Sequence, residues 1–442
     1  MSENKNMINE NIIKLWLRFV IPSIVGVVLN TVYVMVDGIF VGRGAGEAAL
    51  AAVNLAWPAI TIILGTGAMF GTGATILVAK TLGEQDKARA EQIFATTIKY
   101  TLCLGIIFMI LGVILAEPIT RLLGANADTF DFTKDYFVVI YLMAIPYLFS
   151  NSLNQLVRAD GNPNLSMIMV GVGALLNVLL DWILVIELQM GTIGAALATG
   201  CGVILSTIIG LWYFTYGKSN IKLRKEYFKF DFQIMSSTCK IGAASFFMQF
   251  SIGLLILIQN NVIYTHGTTI DIAIFCIAGY IFSLYAQIAI GITQGIQPVI
   301  AFHCGATAYQ RQFKLLWITL TVTISLGIIF LVFLVLFGKD FILLYGIDPH
   351  MIDIAYQRVF IFCVGTPAVG AVYTMSSYYQ AVNQSMYANV ISVGRGIILQ
   401  VFFAITLPIF LGVNGIFIGQ AASDICALFI VITLVFISKR QK

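Results

Sequence analysis

The chain has 442 residues, 59% of them hydrophobic and 10% charged, with a mean hydropathy of +0.92. Soluble proteins carry about 25% charged residues, so too little polar surface is available to cover a water-soluble globule, and the chain reads as an all-α integral membrane protein. The net charge of +4 does not imply nucleic acid as a partner, because in a membrane protein the placement of charge matters more than its sum.

The opening segment MSENKNMINENIIK is polar and includes Glu3 and Glu10. The apolar stretch after it is longer than a signal-peptide core and lacks a clean A-x-A site, so it reads as a retained first span. Further apolar stretches follow at 53–79, 94–116, 136–157, 166–187, 192–214, 240–265, 272–301, 316–337, 357–379, 388–411 and 415–437. With 15–40 these make twelve spans of helix length. Each is expected to be helical, since lipid offers nothing to free backbone groups. An even number of spans puts both termini on one side. Lys14, Lys80, Lys87, Arg89, Arg158, Lys218, Lys222, Arg224, Arg311 and Lys314 fall on that side. Arg43, Arg121, Lys134, Lys339 and Arg358 fall on the other. The asymmetry predicts cytoplasmic termini in a cell-membrane protein.

Residues 1–215 and 240–442 read as two six-span lobes joined by a basic linker at 216–239. The lobes repeat. Pairing LVAKTLGEQDKARAEQIF with VIAFHCGATAYQRQFKLL sets Gly83 against Gly305 and Arg89 against Arg311, and the same offset sets Asp37 against Gln259. Six spans separate the copies, so the repeat is parallel, about an axis along the membrane normal.

Ionisable groups inside spans are expensive and are functional-site candidates by default. Asp37 lies in the first span, Asn177 and Asp181 in the fifth at helical i, i+4 spacing, and Thr199 in the sixth. Two carboxylates, an amide and a hydroxyl suit a hard cation such as sodium, or a proton on a desolvated carboxyl. The competing reading leaves both acids wetted at the membrane surface. The second lobe has Gln259 opposite Asp37 and apolar Leu399 and Phe403 opposite Asn177 and Asp181, so the acids are expected in the first lobe alone. Pro22 can bend the first helix. Tyr33, Asn151, Asn154, Gln259, Gln287 and Gln294 are candidates for lining a cavity, with interhelical hydrogen bonding as the alternative. The same two readings apply to Gln155 and Gln297. Arg395, inside the eleventh span, is expected to snorkel, with gating of the cytoplasmic mouth as the alternative. The seven cysteines form no CxxC pair, and His266, His303 and His350 are far apart, so neither a disulfide framework nor a metal site is expected beyond possible sodium. No nucleotide motif or nucleophile–base arrangement is present, so the chain reads as neither an enzyme nor an ATP-driven pump, and as needing no cofactor.

IPSIVGVVLNTVYVMVDGIFVG, VAKTLGEQDKARA, RADGNPNLSM, LLNVLLDWILV and GAALAT, in this order, resemble the MATE (multidrug and toxic compound extrusion) family, most nearly its MepA-like and DinF-like bacterial branch. The resemblance implies two six-helix bundles in a V around a central cavity. It also implies a secondary antiporter, expected to be monomeric, that exports organic cations and amphipathic drugs in exchange for protons or sodium. Asp37, Asn177, Asp181 and Thr199 match the family's cation-site positions in the first lobe, and Pro22 its bending proline. The acid that some members carry in the seventh span is absent, where Gln259 and Asn260 stand. A flippase for a lipid-linked saccharide is the alternative on related folds. It would want a basic cavity, for which Arg395 is the only candidate.

Overall fold

The computed structural model describes residues 7–227, 230–345 and 347–440. The side chains of Asn260 and His266 lie outside the described residues. Among the described residues, eleven helices are long and apolar enough to cross a membrane, and a bent pair makes a twelfth crossing. The spans in order are Ile12–Gly44, Glu47–Gly83, Lys87–Ile114, the pair Phe130–Leu142 and Ala144–Ala159, Pro163–Glu187 and Gly191–Thr215 in the first lobe. Phe232–His266, Thr269–Gly305, Tyr309–Leu343, Pro349–Ala381, Ser385–Leu411 and Val413–Arg440 follow in the second. No strand occurs among the described residues.

Local sequence explains where these helices start and break. Asn11, Asp86, Asn162 and Asp231 each accept a hydrogen bond from the first turn they precede, and Thr268 with Asp271 forms a capping box. Such caps satisfy the N–H groups that a helix cannot pair by itself. The fourth span was expected to be continuous and is bent by 57° instead. Pro146 stands at the third position of its second half and has no N–H with which to continue the ladder. Pro22, by contrast, lies buried within one uninterrupted helix.

The linker is held against the first lobe by two buried acids. Asp160 accepts from the Tyr213 hydroxyl at 2.7 Å and from the backbone N–H groups of Asn220 and Ile221 at 2.9 and 3.1 Å. Glu91 pairs with Arg224 at 2.9 Å.

The lobes meet along a seam that we follow from the face bearing residues 7–11 and the linker, here the basic face. Spans two and seven approach so closely that a Cβ at Gly242 would lie 1.9 Å from the Met69 carbonyl oxygen. On the same face Trp16 of the first span donates to Thr319 of the ninth at 3.0 Å. A chain of uncharged side chains crosses the seam. Gln297 donates to Gln380 (2.8 Å), Gln380 to Ser245 (3.1 Å), Ser245 to Thr72 (3.2 Å), Thr72 to Gln155 (2.9 Å) and Gln155 to Asn151 (2.9 Å). Every donor points from the second lobe toward the first, the arrangement in which neighbouring hydrogen bonds polarise one another favourably.

Candidate functional site

The first and fifth spans pack side by side, and this brings Asp37 next to Asp181. Both are buried, Asp181 with no exposed surface at all. One helical turn earlier on the fifth span, Asn177 is 1% exposed and donates through Nδ2 to Thr199 Oγ1 at 3.2 Å. Thr199 in turn donates to the Ala195 carbonyl at 3.0 Å. That direction of donation turns the Asn177 carbonyl oxygen away from Thr199. Asp37 Oδ1, Asn177 Oδ1 and both carboxylate oxygens of Asp181 have no hydrogen-bond partner. Buried polar atoms are nearly always paired, so a group of orphans at one spot needs an explanation.

The fifth helix helps to present the pair. Immediately after Asp181 it widens into a π turn, Trp182–Glu187. Such turns occur mostly as local insertions in α-helices, frequently at functional sites. Val185 in this turn packs against Gly44 at the end of the first span, where a Cβ would come within 2.8 Å of it. Tyr33, Tyr136 and Tyr147 stand around the pair, close enough to interact electrostatically with Asp37. Tyr136 and Tyr147 were not singled out from the sequence. Their only signal there was membership of an abundant aromatic class of 18 tyrosines.

Two adjacent buried carboxylates repel each other and lack donors. A proton shared between them removes one charge and creates a hydrogen bond. A small cation would instead draw on the same unbonded oxygens, since hard cations take oxygen ligands. No group of three or more His, Cys, Asp or Glu side chains suited to a metal ion occurs among the described residues.

The remaining candidates are dispersed. Asn151 accepts from Gln155 at the head of the seam chain. Asn154 uses both ends of its amide on Ser166, donating to its carbonyl at 2.8 Å and accepting from its hydroxyl at 3.0 Å, which ties the fourth span to the fifth. Gln259, Gln287 and Gln294 are half-buried in the seventh and eighth spans.

Two expectations for the second lobe are corrected. Arg395 does not snorkel: it is buried, and its Nε and Nη2 contact Asp424 Oδ1 at 2.9 and 2.8 Å. The second lobe is therefore not free of buried acids. Asp424 in the twelfth span has no exposed surface, and its other oxygen accepts from Gln420 at 3.0 Å. Tyr373 completes the cluster, its hydroxyl accepting from Arg395 Nη1 at 3.2 Å. A π turn, Gly394–Leu399, carries the arginine.

Comparison with known proteins places this architecture. The chain is 23% identical over 407 residues to multidrug export protein MepA of Staphylococcus saprophyticus, covering 92% of this chain and 88% of that one. It is 24% identical to MepA of Staphylococcus aureus strain MRSA252, covering 94% and 92%. Among solved structures, a MOP superfamily transporter from Pyrococcus furiosus, described as having a binding pocket of reverse polarity, superposes with a TM-score of 0.90 at 23% identity, over 99% of this chain and 98% of that one. An outward-facing multidrug resistance MATE transporter superposes at 0.88 and 23% identity, over 97% and 96%. The MatE family model matches residues 22–183 and 243–406, one segment in each lobe, and the chain belongs to the MatE family.

Proposed function

We propose that this protein is a secondary antiporter that exports organic cations and amphipathic drugs in exchange for protons or sodium, with the coupling cation held at Asp37, Asn177, Asp181 and Thr199. The basic face is cytoplasmic, and the lobes 1–215 and 240–442 move about the seam on either side of the linker 216–239. The observation that carries the reading is the set of unbonded oxygens on Asp37, Asn177 and Asp181. A pair of buried carboxylates without donors favours whichever state of the lobes lets a cation reach it. A cation drives a conformational change only by binding the two states unequally. The curated relatives, named as multidrug exporters, support the substrate class.

The flippase alternative ranks second. It relies on Arg395 to hold a pyrophosphate, and that guanidinium is already neutralised by Asp424. The test is ethidium efflux in everted vesicles with proton and sodium gradients imposed separately. Wild-type protein is expected to respond to at least one gradient, and Asp37→Asn to neither while still inserting in the membrane. Efflux at the wild-type rate in Asp37→Asn would overturn the assignment of the site.

A further inference from the structure

A groove lies on the basic face, where the start of the first span meets the start of the ninth. It measures about 590 Å³, with Ile13, Arg311, Lys314 and Trp317 in its walls. A smaller hollow of about 340 Å³ adjoins it through Asn9 and Glu10 and adds Lys14 and Arg18. One wall belongs to the first lobe and the other to the second.

The charges in this groove are unbalanced. Four cations, Lys14, Arg18, Arg311 and Lys314, face one carboxylate, Glu10, which Arg18 engages at 3.5 Å. Arg18 also donates to the Gly161 carbonyl at 3.3 Å. Arg311 is held in place by the carbonyls of Met7 and Glu10 and by His303 Nε2 at 3.3 Å. Lys14 and Lys314 are exposed, and neither side chain has an ion pair or hydrogen bond among the described residues. Below the cations the surface turns apolar. Ile13, Leu17 and Ile21, four residues apart on one helix face, are 61%, 41% and 52% exposed, and Trp317 across the groove is 65% exposed. Trp317 stands just over two turns into the Tyr309–Leu343 helix and one residue past the start of its apolar run at 316, the depth where such rings meet lipid headgroups.

We propose that this groove binds an anionic phospholipid, its phosphate seated between Lys14 and Lys314 and its acyl chains descending along Ile13, Leu17 and Ile21 on one side and Trp317 on the other. Basic pockets between spans at this depth suit such headgroups. A zwitterionic lipid would bring its own cation into a groove that already holds an excess. A free phosphate would use the lysines and leave the apolar wall uncovered. The bound lipid touches both lobes at the edge of their seam, so it favours the arrangement in which the basic face is closed.

The test uses full-length protein in nanodiscs and reads tryptophan quenching by brominated lipid. The signal of Trp317 is the difference between wild type and Trp317→Phe. Brominated phosphatidylglycerol is expected to occupy the site about thirtyfold more strongly than brominated phosphatidylcholine, from two cations near the surface. Lys14→Ala with Lys314→Ala should bring the two lipids to parity while quenching by phosphatidylcholine persists, which shows that the variant is folded and embedded. Equal quenching by the two lipids in wild type would overturn the proposal. So would a phosphatidylglycerol preference that survives the double substitution. Loss of that preference on adding millimolar inorganic phosphate, at constant ionic strength, would assign the groove to free phosphate instead.

Discussion

The two lobes share a fold and treat buried charge in opposite ways. In the first, Asp37 and Asp181 lie together with unbonded oxygens and no Lys or Arg paired with them among the described residues. In the second, Asp424 and Arg395 neutralise each other, and Gln420 and Tyr373 take up further hydrogen-bonding capacity. A saturated pair has nothing left to bind with, so its contribution is to join spans ten, eleven and twelve. An unsaturated pair destabilises the fold in isolation and can recover that cost by taking up a cation. The lesson is that an acid inside a membrane span is a candidate for binding a cation only where no partner already satisfies it.

The comparison breaks most visibly if the second-lobe pair is cut. Arg395→Ala leaves Asp424 buried and unpaired, and removing one member of a buried pair costs about 3–5 kcal/mol. A large fall in the thermal midpoint of the purified protein is expected. Replacing both members together, Arg395→Met with Asp424→Leu, is expected to restore most of that loss, because no charge is left stranded. If the single substitution leaves the midpoint unchanged, the pair is not a structural pin.

The first lobe should behave inversely. Asp181→Asn removes a buried charge without a partner, so the thermal midpoint is expected to hold or rise. Gradient-driven ethidium efflux is expected to fall tenfold or more, equivalent to about 1.4 kcal/mol or more. A protein that loses stability and keeps its efflux would make the two lobes alike.

Only the first-lobe side of this contrast is legible in the sequence, and the part that is not has a common cause. Span positions follow from the length of apolar runs, and Asn177 and Asp181 share a helix face by spacing alone. Asp37, Asn177, Asp181 and Thr199 attract notice one by one because each is polar within an apolar run. Whether a buried group is satisfied depends on its neighbours across helices. Arg395 and Asp424 are on different spans, and no spacing rule connects them. The amides Gln155 and Gln297 could be read as lining a cavity or as bonding between helices, and only the packing of spans two, seven and ten puts them in the seam chain. Tyr136 and Tyr147 were concealed by the abundance of their type. The bend in the fourth span could have been read from Pro146, since proline within a helix removes a ladder bond.

The smallest expected effect concerns the seam, which is neither saturated by charge like the second-lobe pair nor left open like the first-lobe pair. Thr72 accepts from Ser245 across the lobes and donates to Gln155 within its own. Thr72→Val keeps the branched shape and removes both bonds. Uncharged hydrogen bonds contribute about 1 kcal/mol net each, because water replaces them when they open. Opening the basic face exposes this site to water, so the seam bond is lost there in any case, while the bond to Gln155, inside one lobe, persists in both states. The difference between the states is then about 1 kcal/mol, equivalent to a roughly fivefold shift toward the arrangement open on the basic face. Spin labels at Lys87 and Tyr309, exposed positions on that face in opposite lobes, should report it as a larger long-distance population. The matching substitution Thr207→Val, which removes a bond to the Pro146 carbonyl within the first lobe, should leave that distribution unchanged. If both substitutions shift it equally, the crossing chain has no special hold on the lobes, and close packing at Gly242 is what keeps the basic face shut.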